Sequence, residues 1–210
     1  MSKMSEMGKT DAQGSATGQI LLPKMQSRIG GESMKLYPGD IVGEKAKGIV
    51  GWLSKNLFVP HTDRQHFFLV YGDLLNDYMI LESITSKGPT FGQLSWYNLE
   101  ELEIYRLNDP DWRSLGKEAV RFAVRQGRAS FDYLLPFQLL AGAVRLLLLG
   151  RLPPWRADQL PYARNSHLIC TELVNDSYRQ AGRPIVPEEV CPLPSEFQRA
   201  IQDRKLIRIF

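Results

Sequence analysis

Cys170 opens a stretch in which Cys170, Leu173, Val174, Ser177, Tyr178 and Ala181 share one helical face, with Gly182 and Pro184 as the stop. Its sulfur is therefore expected at the N-terminal end of a helix over residues 170–181, beside unpaired amides and the positive end of the helix dipole. A thiol so placed and next to an imidazole has its pKa lowered from ~8.5 into the ~3.5–7.5 range, which makes it a nucleophile at neutral pH. The Cys170 backbone amide would then face a developing oxyanion. The competing reading of Cys170 is a small core residue, since cysteine is among the most buried types. Cys191, between Val190 and Pro192, has no helix behind it and is expected to be structural.

A base for such a thiol has three candidates, His61, His66 and His167. His66 heads the apolar run Phe67-Phe68-Leu69-Val70-Tyr71, which offers a rigid strand platform. Its alternative role is a strand-end histidine bonded to backbone. His61 lies in a polar turn and is expected to be solvated, and His167, three residues before Cys170, is placed at the entrance of the site. Glu82 interrupts the apolar sequence Tyr78-Met79-Ile80-Leu81 and Ser83-Ile84, where a carboxylate is costly unless paired. An imidazolium, an arginine from the helices or an outward-facing edge position would each satisfy it. There is no C-x-x-C, H-x-x-x-H or H-E-x-x-H pattern, no phosphate-binding G-x-x-x-x-G-K-[ST] loop and no G-x-S-x-G elbow. No metal and no cofactor is expected.

The elements that must hold these groups follow from pattern. Leu36 to Val42 reads as a turn entering a strand. Residues 66–71, 78–84 and 102–107 are rich in aromatic and branched side chains and bounded by Gly, Asn, Asp or Pro, as strands are, with a hairpin joining the first two. Asp109-Pro110 then starts a helix to about residue 126, and a Leu-rich helix runs from Pro136 to Gly150. Ser195 is expected to cap a last short helix, and residues 206–210 to form an edge strand. Strands followed by helices, without strict alternation, indicate an α+β domain with an antiparallel sheet.

Length favours one domain, residues 36–210, after a polar tail at 1–35 that is expected to stay flexible. A net charge of +3 with scattered basic residues argues against nucleic acid as a partner. Two cysteines in dissimilar contexts give no disulfide framework, so a reduced compartment is expected. The polar N-terminus has no apolar core for a secretory signal. Residues 134–149 contain Gln138 and Arg145 and fall short of the ~20 apolar residues a membrane span requires. The spacing of those two predicts a mostly buried helix with a narrow wet edge, a lipid-facing surface helix being the lesser option.

Taken together, four stretches resemble the permuted branch of the NlpC-type papain-like peptidases, the YiiX-like group, which is related to the lecithin:retinol acyltransferase family. They are Tyr37-Pro38-Gly39-Asp40-Ile41-Val42, Gln65-His66-Phe67-Phe68-Leu69-Val70-Tyr71-Gly72, Met79-Ile80-Leu81-Glu82-Ser83, and Cys170-Thr171-Glu172-Leu173-Val174 with Tyr178-Arg179-Gln180-Ala181-Gly182. The likeness covers about residues 36–197, and histidine precedes cysteine as in the permuted group. It implies a papain-like sheet or half-barrel packed on helices, with Cys170 as nucleophile, His66 as base and Glu82 orienting the histidine. Two departures stand out: Gln65 and two Phe flank His66, and the segment 134–165 is an insertion.

The expected activity is a thiol hydrolase acting on an amide, with cell-wall peptide as the implied substrate class, in the cytoplasm or carried in a virion. The alternatives are an acyltransferase or lipid-amide hydrolase, and a structural component of an assembly such as a phage tail, docking through the N-terminal tail or the 134–150 helix. Peripheral membrane contact is a minor expectation.

Overall fold

The computed structural model describes residues 28–29, 32–33, 35–47, 52, 55–74, 77–160, 162 and 167–210. The tail expected at 1–35 falls almost wholly outside them. The main body is α+β: strands β1 (Ile41–Lys45), β2 (Arg64–Leu74), β3 (Asp77–Ile84), β4 (Gly88–Gln93), β5 (Leu102–Leu107) and β6 (Leu206–Arg208) form one open sheet in the order β4-β3-β2-β1-β5-β6, every pair antiparallel. Helices α1 (Trp112–Arg125), α2 (Leu134–Leu148), α3 (Cys170–Gln180) and α4 (Pro194–Gln202) complete it.

Both faces of the central strands are covered, which explains why β2 reads as the continuous run Phe-Phe-Leu-Val and not as alternating apolar and polar residues. Phe67 and Leu69 pack with Ile41, Leu81 and Tyr105 against Leu173, Val174 and Phe197 of the helices. Phe68 and Val70 point the other way, onto Val42, Ile80 and Ile104, with Tyr97 and Leu99 closing that side. Phe67 and Phe197 meet with ring centroids 4.6 Å apart; losing a buried ring of this kind costs about 3–5 kcal/mol.

The Tyr37-Pro38-Gly39-Asp40 turn fastens α1 and α3 to the sheet. Gly39 sits at φ +91°, and a Cβ there would lie 2.2 Å from the Cα of Gly116 in α1, so neither position has room for a side chain. Asp40, buried, is held by both Nε (2.7 Å) and Nη2 (2.8 Å) of Arg106, and the Tyr178 hydroxyl of α3 donates to the Gly39 carbonyl at 2.5 Å.

Strand β4 has no counterpart among the sequence expectations, since Gly88, Pro89 and Gly92 are poor strand formers; Pro is admissible because β4 is an edge strand. Three expectations need correction. Helix α1 begins at Trp112, with Asp109 accepting the Asp111 amide at 2.9 Å ahead of it. Ser195 lies inside the first turn of α4, whose N-cap is Leu193 with Pro194 leading the helix. Finally, α2 is not mostly buried: Leu135, Gly142 and Leu146 face inward, whereas Val144, Arg145, Leu147 and Leu148 are exposed. No helix among the described residues is long and apolar enough to cross a membrane.

Candidate active site

The paired register of β2 and β3 runs from Leu74–Asp77 to Leu69–Leu81 and goes no further, so the two strands part beside Phe67 and Ser83. The chain leading into α3 enters this gap. The Ser83 hydroxyl donates to the Leu168 carbonyl at 2.6 Å, the Leu168 amide donates to the Ser130 carbonyl at 3.0 Å, and the Cys170 thiol reaches the Gln65 carbonyl at 3.9 Å. On its other side β2 carries a bulge: Glu44 pairs with His66 and Lys45 with Arg64, leaving Gln65 as the extra residue. A bulge bends its strand and re-aims the neighbouring side chains. Here the bulged residue is the one whose carbonyl faces the Cys170 sulfur, immediately before the histidine.

His66 Nε2 lies 3.0 Å from Glu82 Oε2, a diagonal cross-strand contact between β2 and β3. With Nε2 engaged, Nδ1 is the ring nitrogen left for Cys170, and the imidazole and the thiol lie near enough that each shifts the other's pKa. The sulfur sits at the first residue of α3, where the backbone amides of Phe67 and Thr171 help to lower its pKa. These three groups are thus brought together from two strands and one helix, in the order the chemistry requires.

The charges follow from this contact. Burial by itself raises the Cys170 pKa, but the His66 imidazolium and the two amides outweigh it and hold the thiol below its ordinary value. Burial by itself lowers the His66 pKa, yet the Cys170 thiolate and the Glu82 carboxylate push it up to about 10. Opposite shifts on two neighbouring groups favour a thiolate–imidazolium pair, with Glu82 as a second counter-charge.

Three further residues build the site, none of them evident in the sequence. Tyr97, delivered by a short 3₁₀ turn after β4, donates its hydroxyl to Glu82 Oε2 at 2.5 Å and lies nearly parallel to the His66 ring at 6.5 Å. Gly92 leaves the slot that the Glu82 carboxylate fills, because a Cβ there would be 2.5 Å from Oε1. Glu172 accepts the Ile169 amide at 2.9 Å and the Tyr162 hydroxyl at 3.0 Å, fixing the turn that presents Cys170. A Gly-Pro stretch and a Tyr in a turn are too common to single out, and Glu172 follows Ile169 where the capping signature would need Ser or Thr.

The other candidates fall outside this contact. His61 is exposed, His167 binds the Ser130 hydroxyl, and Cys191 is fully buried with Leu193, Trp155 and Leu160. Burial, then the charges of Glu172 and Asp132, push the Cys191 thiol up, the opposite of Cys170. No group of three or more His, Cys, Asp or Glu among the described residues is arranged to hold a metal ion. The His66 side chain keeps 17% of its area exposed and Cys170 is partly exposed, so both groups can be reached from solvent.

What the arrangement can do is deliver a thiolate to an electrophilic carbonyl, hold the oxyanion with amides at the start of a helix, and return a proton from His66 to the leaving group. No protein-family model and no curated protein matches this chain, and the site is read from its own geometry alone.

Proposed function

We propose that this protein is a thiol hydrolase that cleaves an amide bond through Cys170, His66 and Glu82, with peptide cross-links of the bacterial cell wall as the substrate class. The observation that supports the reading is the 3.0 Å contact of Glu82 with His66 beside a thiol at the head of α3, with the pKa of His66 raised and that of Cys170 lowered by each other's charge. Cys170 attacks the amide carbonyl, His66 protonates the departing amine, and the thioester left on Cys170 is hydrolysed by water that His66 deprotonates. Glu82 keeps the ring oriented and charged. The succession of histidine strand, acidic strand and cysteine helix favours the permuted NlpC-type fold as the relation of this architecture to known hydrolases.

A second reading, acyl transfer from or hydrolysis of a lipid amide or ester, is favoured by the exposed leucines at the end of α2. Muropeptides and an N-acyl amine lipid, each incubated with the protein and with Cys170→Ala, separate the two. New amine termini from muropeptides in the wild type alone support the first reading, and release of fatty acid alone supports the second. Turnover of neither substrate, or turnover that survives Cys170→Ala, contradicts the thiol mechanism.

A further inference from the structure

The far end of α2 presents apolar surface in a form that folding does not explain. Every residue from 147 to 154 is exposed. Leu148 and Leu152 keep 83% and 76% of their full area, and Leu147 and Leu149 are exposed beside them. The run closes the helix and forms the turn that follows it, so its leucines are gathered at one end of α2. A tip of leucines in water is unfavourable in proportion to its apolar area, and patches of this kind mark places of contact.

The charge around the tip selects the partner. No Asp or Glu occurs between Asp132 and Asp158, while Arg145, Arg151 and Arg156 do. Arg156 is paired with Asp158 at 2.9 Å, but neither Arg145 nor Arg151 has an acidic partner among the described residues. Gly150, at φ +73°, ends the helix by turning the chain back, with the Arg151 amide donating to the Leu146 carbonyl at 2.9 Å. The turn brings Arg151 to the same cavity as Arg145, a space of about 380 Å³ with Gln159 as a further polar wall and Leu146 and Leu149 as apolar ones. Two guanidiniums with no acidic partner among the described residues, over a recess and next to exposed leucines, match an anionic headgroup above acyl chains.

We propose that the leucine tip at the end of α2, with Arg145 and Arg151 on its flank, docks this protein peripherally on an anionic lipid bilayer. The leucines enter the boundary between headgroups and chains, and the arginines bind the headgroup phosphates. The helix that carries the tip packs through Leu146 into a cluster with Trp155 and Leu160, against which Ile169, the residue before Cys170, also packs. This inference does not depend on what Cys170 cleaves.

The test is co-sedimentation of the full chain with large vesicles of phosphatidylcholine alone and of phosphatidylcholine mixed with phosphatidylglycerol. The protein is expected to sediment with the mixed vesicles and far less with the neutral ones. Arg145→Gln with Arg151→Gln is expected to lose roughly thirtyfold in partitioning to the mixed vesicles, as two charges near an anionic surface would. Leu148→Ser with Leu152→Ser is expected to lose roughly a hundredfold through its apolar contact. Both pairs are exposed, so their thermal unfolding should match the wild type. Absence of sedimentation, or wild-type binding by both variants, overturns the proposal. So does a lipid-free, concentration-dependent dimer that Leu148→Ser with Leu152→Ser abolishes, since a second copy would then cover the tip. Alkylation of Cys170 in the same preparations reports on the hydrolase reading separately.

Discussion

Glu82→Gln keeps the size of the side chain and an oxygen for His66 Nε2, and removes only the charge. At 3.0 Å and an effective dielectric of about 20, that charge attracts the imidazolium by about 5.5 kcal/mol before the cost of burying it is counted. Opposite charges at such range shift a pKa by about 1–3 units net, equivalent to about 1.4–4 kcal/mol. The sign is fixed by which form Glu82 favours: it stabilises the protonated ring, so His66, held up at about 10, should titrate at lower pH in the variant. The lower pH limit for thiolate formation should move little, because the ring is protonated both before and after Cys170 loses its proton. The measurement is a pH titration of the imidazole ring signals by NMR, which only three histidines contribute to. A wild-type His66 that titrates near the ordinary ~6.5, or one that Glu82→Gln leaves unmoved, would refute the proposed charge arrangement.

Tyr97→Phe removes the hydroxyl that donates to Glu82 at 2.5 Å, and the urea midpoint should fall by the equivalent of about 1–2 kcal/mol, the worth of a hydrogen bond to a charged, partly buried acceptor. Gly116→Ala puts a Cβ 2.4 Å from the Pro38 carbonyl, and should destabilise the protein by about 2 kcal/mol or more in the same assay, since backbone would have to shift. Burial, with Asp132 and Asp176 nearby, lifts Glu172 to about 7 against the Ile169 amide and Tyr162 hydroxyl that hold it down. The folded state therefore binds an extra proton between the unfolded carboxyl value and about 7, and stability drops as pH rises through that window. Glu172→Gln retains the cap to Ile169 and should flatten this decline by about 3 kcal/mol, read from urea midpoints at about pH 4 and about pH 8.

The candidate site residues were legible because each broke a local pattern. Glu82 is a carboxylate in an apolar strand, His66 heads a run buried on both faces, and Cys170 starts a helix that the Gly182-Pro184 pair closes. Their supports were not legible, because they come from places where pattern is weak. Gly92 is an edge-strand position whose emptiness matters only once Glu82 lies across from it, and Tyr97 is set by a 3₁₀ turn with no period of its own. The parting of β2 and β3, which admits the Cys170 segment, depends on the Gln65 bulge and on Ser83 reaching Leu168, contacts between residues far apart in the chain. For α2 the error has a different cause. Leucine occupies nearly every face of that helix, so periodicity could not distinguish a buried helix from one whose far end projects into solvent.

The most direct measurement is alkylation of the two cysteines by iodoacetamide across a pH series, followed by mass mapping of each site. If the His66 imidazolium and the head of α3 hold Cys170 as a thiolate, it should react at a pH well below the ordinary ~8.5 of a free thiol, and His66→Ala should return it toward that value, while buried Cys191 stays unmodified until the protein unfolds. Should Cys170 instead follow the profile of an ordinary thiol, indifferent to His66→Ala, the pair does not exist and the hydrolase reading falls with it.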